Sequence, residues 1–217
     1  MAELLPLFPL QIVVFPHEKL PLHIFENRYK ELIKDCELNN SSFGIPAYLN
    51  GSMEFGTEMK IIKVAKIYES GAADVICEAS KVFEIKEFYL QQTGKPYAGG
   101  IVEYLENIND GKFIQQEKLR SLVQQLYILL GVPPINIPSE KISSFTFPHK
   151  IGLSVQQEYN LLRMTSESER LDYLILHLEF AIPLVKEINR TQEVIEMNGH
   201  FKNFDPLDFG DFVWEKK

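Results

Sequence analysis

The chain has 217 residues, enough for one or two domains with a real core, and 45% hydrophobic with 24% charged residues excludes a disordered or fibrous chain. Its net charge of −8 removes the basicity that phosphate-seeking proteins show, and neither half is basic, so nucleic acid and anionic membrane are not expected partners. Two cysteines, Cys36 and Cys77, cannot build a disulfide framework, and no CxxC pair offers a zinc site. The start, MAELLPLFPLQIVVFP, has no cationic leader, and prolines break its apolar run. No window is long and uncharged enough to span a membrane, so a cytoplasmic location with reduced thiols is the expectation.

In chain order, Leu10–Phe15 is rich in β-formers between prolines and predicts strand pieces at an edge or bend. Pro16-His17-Glu18-Lys19 reads as a polar loop. Phe25, Tyr29, Leu32, Ile33 and Cys36 then fall at helical spacing, and Asn39-Asn40-Ser41-Ser42 ends that helix. From Phe43 to about Asn107 the signals are all β, with strands over 43–49, 60–69 and 97–105 and two runs within 74–88. After Gly111 the period changes again. Leu119, Leu122, Val123, Leu126, Leu129 and Leu130 predict a helix that Gly131 and Pro133-Pro134 stop. Ser154-x-x-Gln157 and Ser166-x-x-Glu169 are capping boxes that start two further helices, the second long, with a kink expected at Pro183 and a stop at Gly199. The fold class is α+β: a small barrel or pseudobarrel over residues 1–110, an α-helical bundle subdomain over 111–199, and an aromatic-acidic tail over 200–217.

Catalytic signatures are missing. His17, His23, His149, His177 and His200 form no HExxH motif, and there is no GxSxG elbow. Gly51 to Thr57 has the glycine spacing of a phosphate loop without its lysine, and reads as a turn. No catalytic residue, metal ligand or cofactor is assigned.

The informative segment is LPLFPLQIVVFPHEKLPLHIFENRYKELI, Leu5 to Ile33. Leu5-Pro6-Leu7-Phe8-Pro9-Leu10, Phe15-Pro16, Leu20-Pro21-Leu22-His23-Ile24-Phe25-Glu26 and Arg28-Tyr29 closely resemble the opening motif of the Lon amino-terminal domain. Asn27 departs from the proline common there. Val82-Phe83-Glu84-Ile85, Pro96-Tyr97 and the helical stretches Tyr159 to Met164 and Glu169-Arg170-Leu171 extend the likeness more loosely. The resemblance implies a PUA-like β-pseudobarrel followed by helices, and a non-catalytic module that binds unfolded or partner polypeptides. It does not imply proteolysis, because neither a Walker loop nor a Ser–Lys peptidase domain is present in the sequence. An RNA-binding PUA-like protein is the alternative, and a peptidase-associated hydrolase a weaker one.

The partner-binding residues expected are His17, Glu18 and Lys19 in the polar loop, Arg28 and Tyr29 at the helix start, and Phe204, Phe209 and Trp214 in the tail. The tail's aromatics alternate with Asp205, Asp208 and Asp211, a pattern expected to pack back on the protein or to dock a partner.

Overall fold

The computed structural model describes residues 2–49, 51–134 and 136–201. It is a mixed α+β fold with one six-stranded sheet and C-terminal helices. The strands are β1 (Ala2–Leu7), β2 (Lys19–Ile24), β3 (Phe43–Pro46), β4 (Phe55–Ile67), β5 (Ala73–Tyr89) and β6 (Ala98–Tyr104). The helices are α1 (Asn27–Asn39), α2 (Phe113–Leu129), α3 (Val155–Leu162) and α4 (Glu167–Phe201).

The sheet order is β2-β5-β4-β3-β1-β6, and β6 also pairs with β5. The ladder therefore returns on itself through β5, β4, β3, β1 and β6, with β2 attached outside along the first part of β5. The seventeen-residue β5 is the hub, antiparallel to three partners. Sequence reading divides this strand into two runs. The strand continues between them, but its register with β4 shifts at Ser80 and Lys81, between the pairs Thr57–Val82 and Met59–Ala79, and the change of partner from β2 to β6 straddles that irregularity.

The start of the chain also differs from expectation. The regular strand is Ala2–Leu7, antiparallel to β6. Pro6 fits because β1 meets β3 only at Leu7, so no second ladder asks for its missing N–H. The stretch expected as strand, Leu10–Phe15, is irregular. Val13, Val14 and Phe15 are all buried in succession, and the Thr57 hydroxyl donates to the Val14 carbonyl at 2.5 Å. Burial on every side removes the two-residue alternation a half-buried strand would show. Lys19, expected in a loop, opens β2, and α4 runs on through Pro183 and past Gly199.

Three sets of apolar contacts hold the strands and helices in place. Leu5, Leu7, Phe83 and Val102 pack together from β1, β5 and β6. A second, larger cluster joins the two halves of the chain: Val13, Phe15, Ala47 and Val82 from the β half pack with Leu119, Leu162, Leu171, Leu174 and Leu178 from the helices. In a third cluster Cys36, on the inner face of α1, and Cys77, on β5, lie buried, and loss of hydration pushes their thiols up to about 11 and about 12.

Phe83, fully buried, needs glycine beside it. A Cβ on Gly56 would lie 2.5 Å from the Pro46 Cα and 2.6 Å from the Ile45 carbonyl, backbone atoms that cannot step aside. At Gly99 the nearest atoms belong to the flexible Gln92 side chain, at 3.0 Å. Gly56→Ala is therefore expected to cost about 1–3 kcal/mol or more in urea unfolding, and Gly99→Ala markedly less.

Candidate functional site: a cleft between sheet and helices

The helices meet the β half along a line that begins where β6 ends. Ile108 bridges to Ser166, so the strand exit is tied to the start of α4. Here Arg170, only 1% exposed, is the largest fully buried side chain. Its guanidinium donates from Nε to the Ser144 hydroxyl at 2.8 Å and from Nη2 to Glu167 Oε2 at 2.8 Å and Asn107 Oδ1 at 2.5 Å. Nη1 donates to the Met164 carbonyl at 2.7 Å, and the Phe145 ring lies 4.5 Å from the guanidinium carbon. Glu167, buried as well, accepts from the Ser144 amide and hydroxyl, each at 2.7 Å. A buried cation and anion are tolerable only when both are this fully hydrogen-bonded.

In front of Arg170 opens a cleft of about 190 Å³. Val82, Leu105, Phe145, Leu162 and Met164 supply apolar walls, and His17, Ser80, Lys81 and Asn107 supply polar ones. Behind Ser80 sits the carboxylate of Glu58. It accepts from the hydroxyls of Ser42 at 2.5 Å, Ser80 at 2.6 Å and Tyr104 at 3.2 Å. Burial alone would raise its pKa, but these hydroxyls, with Lys81 nearby, hold it below the usual carboxylate value.

The loop at the cleft mouth is pinned on both sides. His17 has φ of 69°, a left-handed conformation uncommon outside glycine, and its N–H donates to the Ala79 carbonyl at 2.9 Å. Glu18 accepts from the Phe15 amide at 3.0 Å and from His149 Nε2 at 3.3 Å. The other ring nitrogen of His149 meets Glu158 at 2.7 Å, so one imidazole clasps the β half to α3. Its hydrogen bond to Glu18 leads the causes that raise His149 to about 9; burial opposes it, and Glu158 adds to the rise. The Phe55 amide donates to the Tyr159 hydroxyl at 3.3 Å, a second tie between β4 and α3.

The expected partner residues do not gather in one place. His17 lines the cleft. Glu18 is engaged with His149, and Lys19 is exposed at the start of β2. Arg28 pairs with Glu26 at 2.8 Å and lies over the Tyr29 ring, while Tyr29 itself is buried with its ring 3.8 Å from that of Phe8. Neither lines the cleft. Phe204, Phe209 and Trp214 lie outside the described residues.

Sequence reasoning did not single out Arg170, Ser80 and His149. Arg170 had a signal: it falls on the same helix face as Leu171, Leu174 and Leu178, where a cation requires a buried partner. Among the described residues no three metal-ligating side chains cluster, and no helix is long and apolar enough to cross a membrane.

Fold and cleft together define an α+β scaffold with a small apolar recess where sheet and helices join. The chain belongs to the ATP-dependent protease La (LON) substrate-binding domain family, whose model matches residues 4–182. Its fold is similar to that of a Lon N-terminal domain protein from Xanthomonas campestris, with a TM-score of 0.64 and 24% identity over 80% of this chain and 98% of that one. It is also similar to the N-terminal domain of a Mycobacterium avium complex Lon protease, with a TM-score of 0.62 and 15% identity over 82% of this chain and 98% of that one. No curated protein matches the chain.

Two expectations arise from the buried charges. Arg170→Met leaves Glu167 buried without its counter-charge and should cost about 3–5 kcal/mol in urea unfolding, much of it recovered in Arg170→Met/Glu167→Gln. His149 is raised in the folded chain, so its contribution is full below its ordinary value of 6.5 and is lost as pH rises through about 9. Glu18 is lowered despite burial, by His149 and the Phe15 amide, so its contribution is lost as pH falls below 4.5. Thermal melting against pH should show both declines, and His149→Gln should flatten the alkaline one.

Proposed function

We propose that this chain is a non-covalent polypeptide-binding module of the LON substrate-binding type, acting in the cytoplasm. In this reading residues 1–110 form a PUA-like pseudobarrel, supported by the strand ladder that returns on itself, and residues 111–199 form a helical subdomain packed against it. No nucleophile–base constellation is needed for such a role, and the chain acts by capture.

The observation that carries the proposal is the size and lining of the cleft. Pockets for small molecules run to about 300–1,000 Å³, whereas about 190 Å³ suits one bulky side chain of a longer ligand. The walls of Leu105, Phe145, Leu162 and Met164 take an apolar anchor. Ser80, Lys81, Asn107 and His17 stand where the adjoining backbone of an extended segment passes, offering hydrogen bonds that do not depend on its sequence. Such a site selects unfolded chains because folded ones keep their large apolar side chains inside. His17 and Lys19 are the contact residues of the mouth loop in this reading. Glu18 serves by holding the loop to His149, and Arg28 extends the contact surface with Tyr29 as its support.

The test fills the cleft. Met164→Trp, at a half-buried position, should leave the melting temperature within a few degrees and weaken binding of a reduced, carboxymethylated model protein by about tenfold or more. Native chain that bound folded and unfolded forms equally, or neither, would sink the proposal. Tight, salt-sensitive RNA binding would favour the alternative reading.

A further inference from the structure

Hydrogen bonds behind the cleft decide in which sense its polar groups can act. Ser80 has one hydroxyl proton, and Glu58 takes it: the Ser80 oxygen lies 2.6 Å from Glu58 Oε2 and 3.3 Å from the Glu58 carbonyl. Burial works against a charge on Glu58, but the hydroxyls of Ser42, Ser80 and Tyr104 outweigh it, so the carboxylate stays ionised and can only accept. Toward the cleft Ser80 therefore offers lone pairs and no proton. Asn107 is fixed in the opposite sense. A guanidinium has no acceptor, so the Asn107 atom 2.5 Å from Arg170 Nη2 is the carbonyl oxygen, and the amide N–H bonds are left for the exposed side. Lys81, its ammonium 5.1 Å from the centre of the Tyr104 ring, adds donors and has no ion-pair partner among the described residues. His17 can act in either sense, and Glu106 is exposed and held by no partner among the described residues.

We infer that the cleft reads the polarity of one peptide group beside the apolar anchor: an N–H donates to Ser80, and carbonyl oxygens accept from Asn107 and Lys81. The inference rests on the polypeptide-capture reading above and adds a chemical requirement to it. Ser80 and Asn107 set the specificity, while Glu58 and Arg170 are positioning residues that fix which of the two donates. Extended backbone supplies both a donor and an acceptor. An ester or a carboxylate supplies acceptors alone, and a proline has lost the N–H. Facing Ser80, such a group sets lone pair against lone pair and leaves a half-buried oxygen unsatisfied. The cleft thus takes backbone of any sequence except where proline stands at the donating position.

The probe is a short glycine-serine peptide with one central phenylalanine, read by displacement of a fluorescently labelled, carboxymethylated model protein. Two analogues each replace a single N–H by an ester oxygen, one at the phenylalanine and one at the residue after it. One ester should bind about tenfold more weakly than the parent, and the other within about twofold of it. Ser80→Ala removes the acceptor and should bring parent and weak ester within about twofold of each other. Glu58→Gln, which lets the Ser80 hydroxyl turn outward, should narrow the same ratio, a change that lost stability alone would not produce. Asn107→Asp keeps an acceptor for Arg170 and should weaken the parent about tenfold, with the melting temperature within a few degrees. Esters that behave alike, both matching the parent or both falling equally, overturn the inference and leave capture intact. So does a parent-to-ester ratio that survives Ser80→Ala, or a parent peptide that cannot displace a carboxymethylated protein that itself binds. A carboxymethylated protein that does not bind sinks the capture reading, and this inference with it.

Discussion

Arg170 is the constraint on which the junction depends. One guanidinium joins the segment after β6 through Asn107, the α3–α4 turn through the Met164 carbonyl, the 144 turn through its serine, and α4 through Glu167. Each of these groups faces a partner that does not come from its neighbours in sequence alone. An apolar residue in that place would satisfy none of the buried oxygens around it, and each orphaned acceptor carries its own desolvation cost. The network fixes the back wall of the cleft at the point where strands end and helices begin. Ser80, Val82 and Leu105 are thereby held opposite Leu162 and Met164 at a separation that leaves room for one side chain.

The junction is also a core. Because Val13, Phe15 and Val82 pack in the same cluster as Leu119, Leu171 and Leu174, the two parts of the chain share apolar burial rather than touch across a polar interface. His149 between Glu18 and Glu158 adds a charged fastening at the rim of that cluster. A ligand seated in the cleft contacts both parts at once, so its binding energy adds to the stability of the whole unit.

Much of the architecture was legible in the sequence because its signals are local. The capping box at Ser154 is made as written, with the serine hydroxyl accepting from the Gln157 amide, and Tyr29, Leu32, Ile33 and Cys36 of α1 and Leu119, Val123 and Leu126 of α2 face inward as expected, whereas Phe25 and Leu130, just outside the two helices, are exposed. The failures share a cause. Leu10–Phe15 looks like a strand because its residue types favour one, but neighbours on all sides, not alternation, decide its burial. Ser80 and Lys81 fall where the register of β5 with β4 shifts, so the side-chain alternation breaks although the strand continues. The cleft was not legible at all: its walls come from five separate stretches of chain, and no window of sequence contains two opposite walls. Arg170 came nearest to announcing itself, as a cation on an apolar helix face.

The pairing of β1 with β6 sets Ala2 against Glu103 and Leu7 against Ala98. β1 thus has no sheet partner of its full length until about a hundred further residues exist. At about 5–20 residues per second of synthesis, that is a wait on the order of 5–20 s, with Leu4 and Leu5 unpaired throughout and Leu7 able to meet only Gly44 of β3. Closure across so long a loop is slow for entropic reasons as well. For those seconds the chain exposes the same kind of apolar side chain that the proposed cleft would take from an unfolded polypeptide.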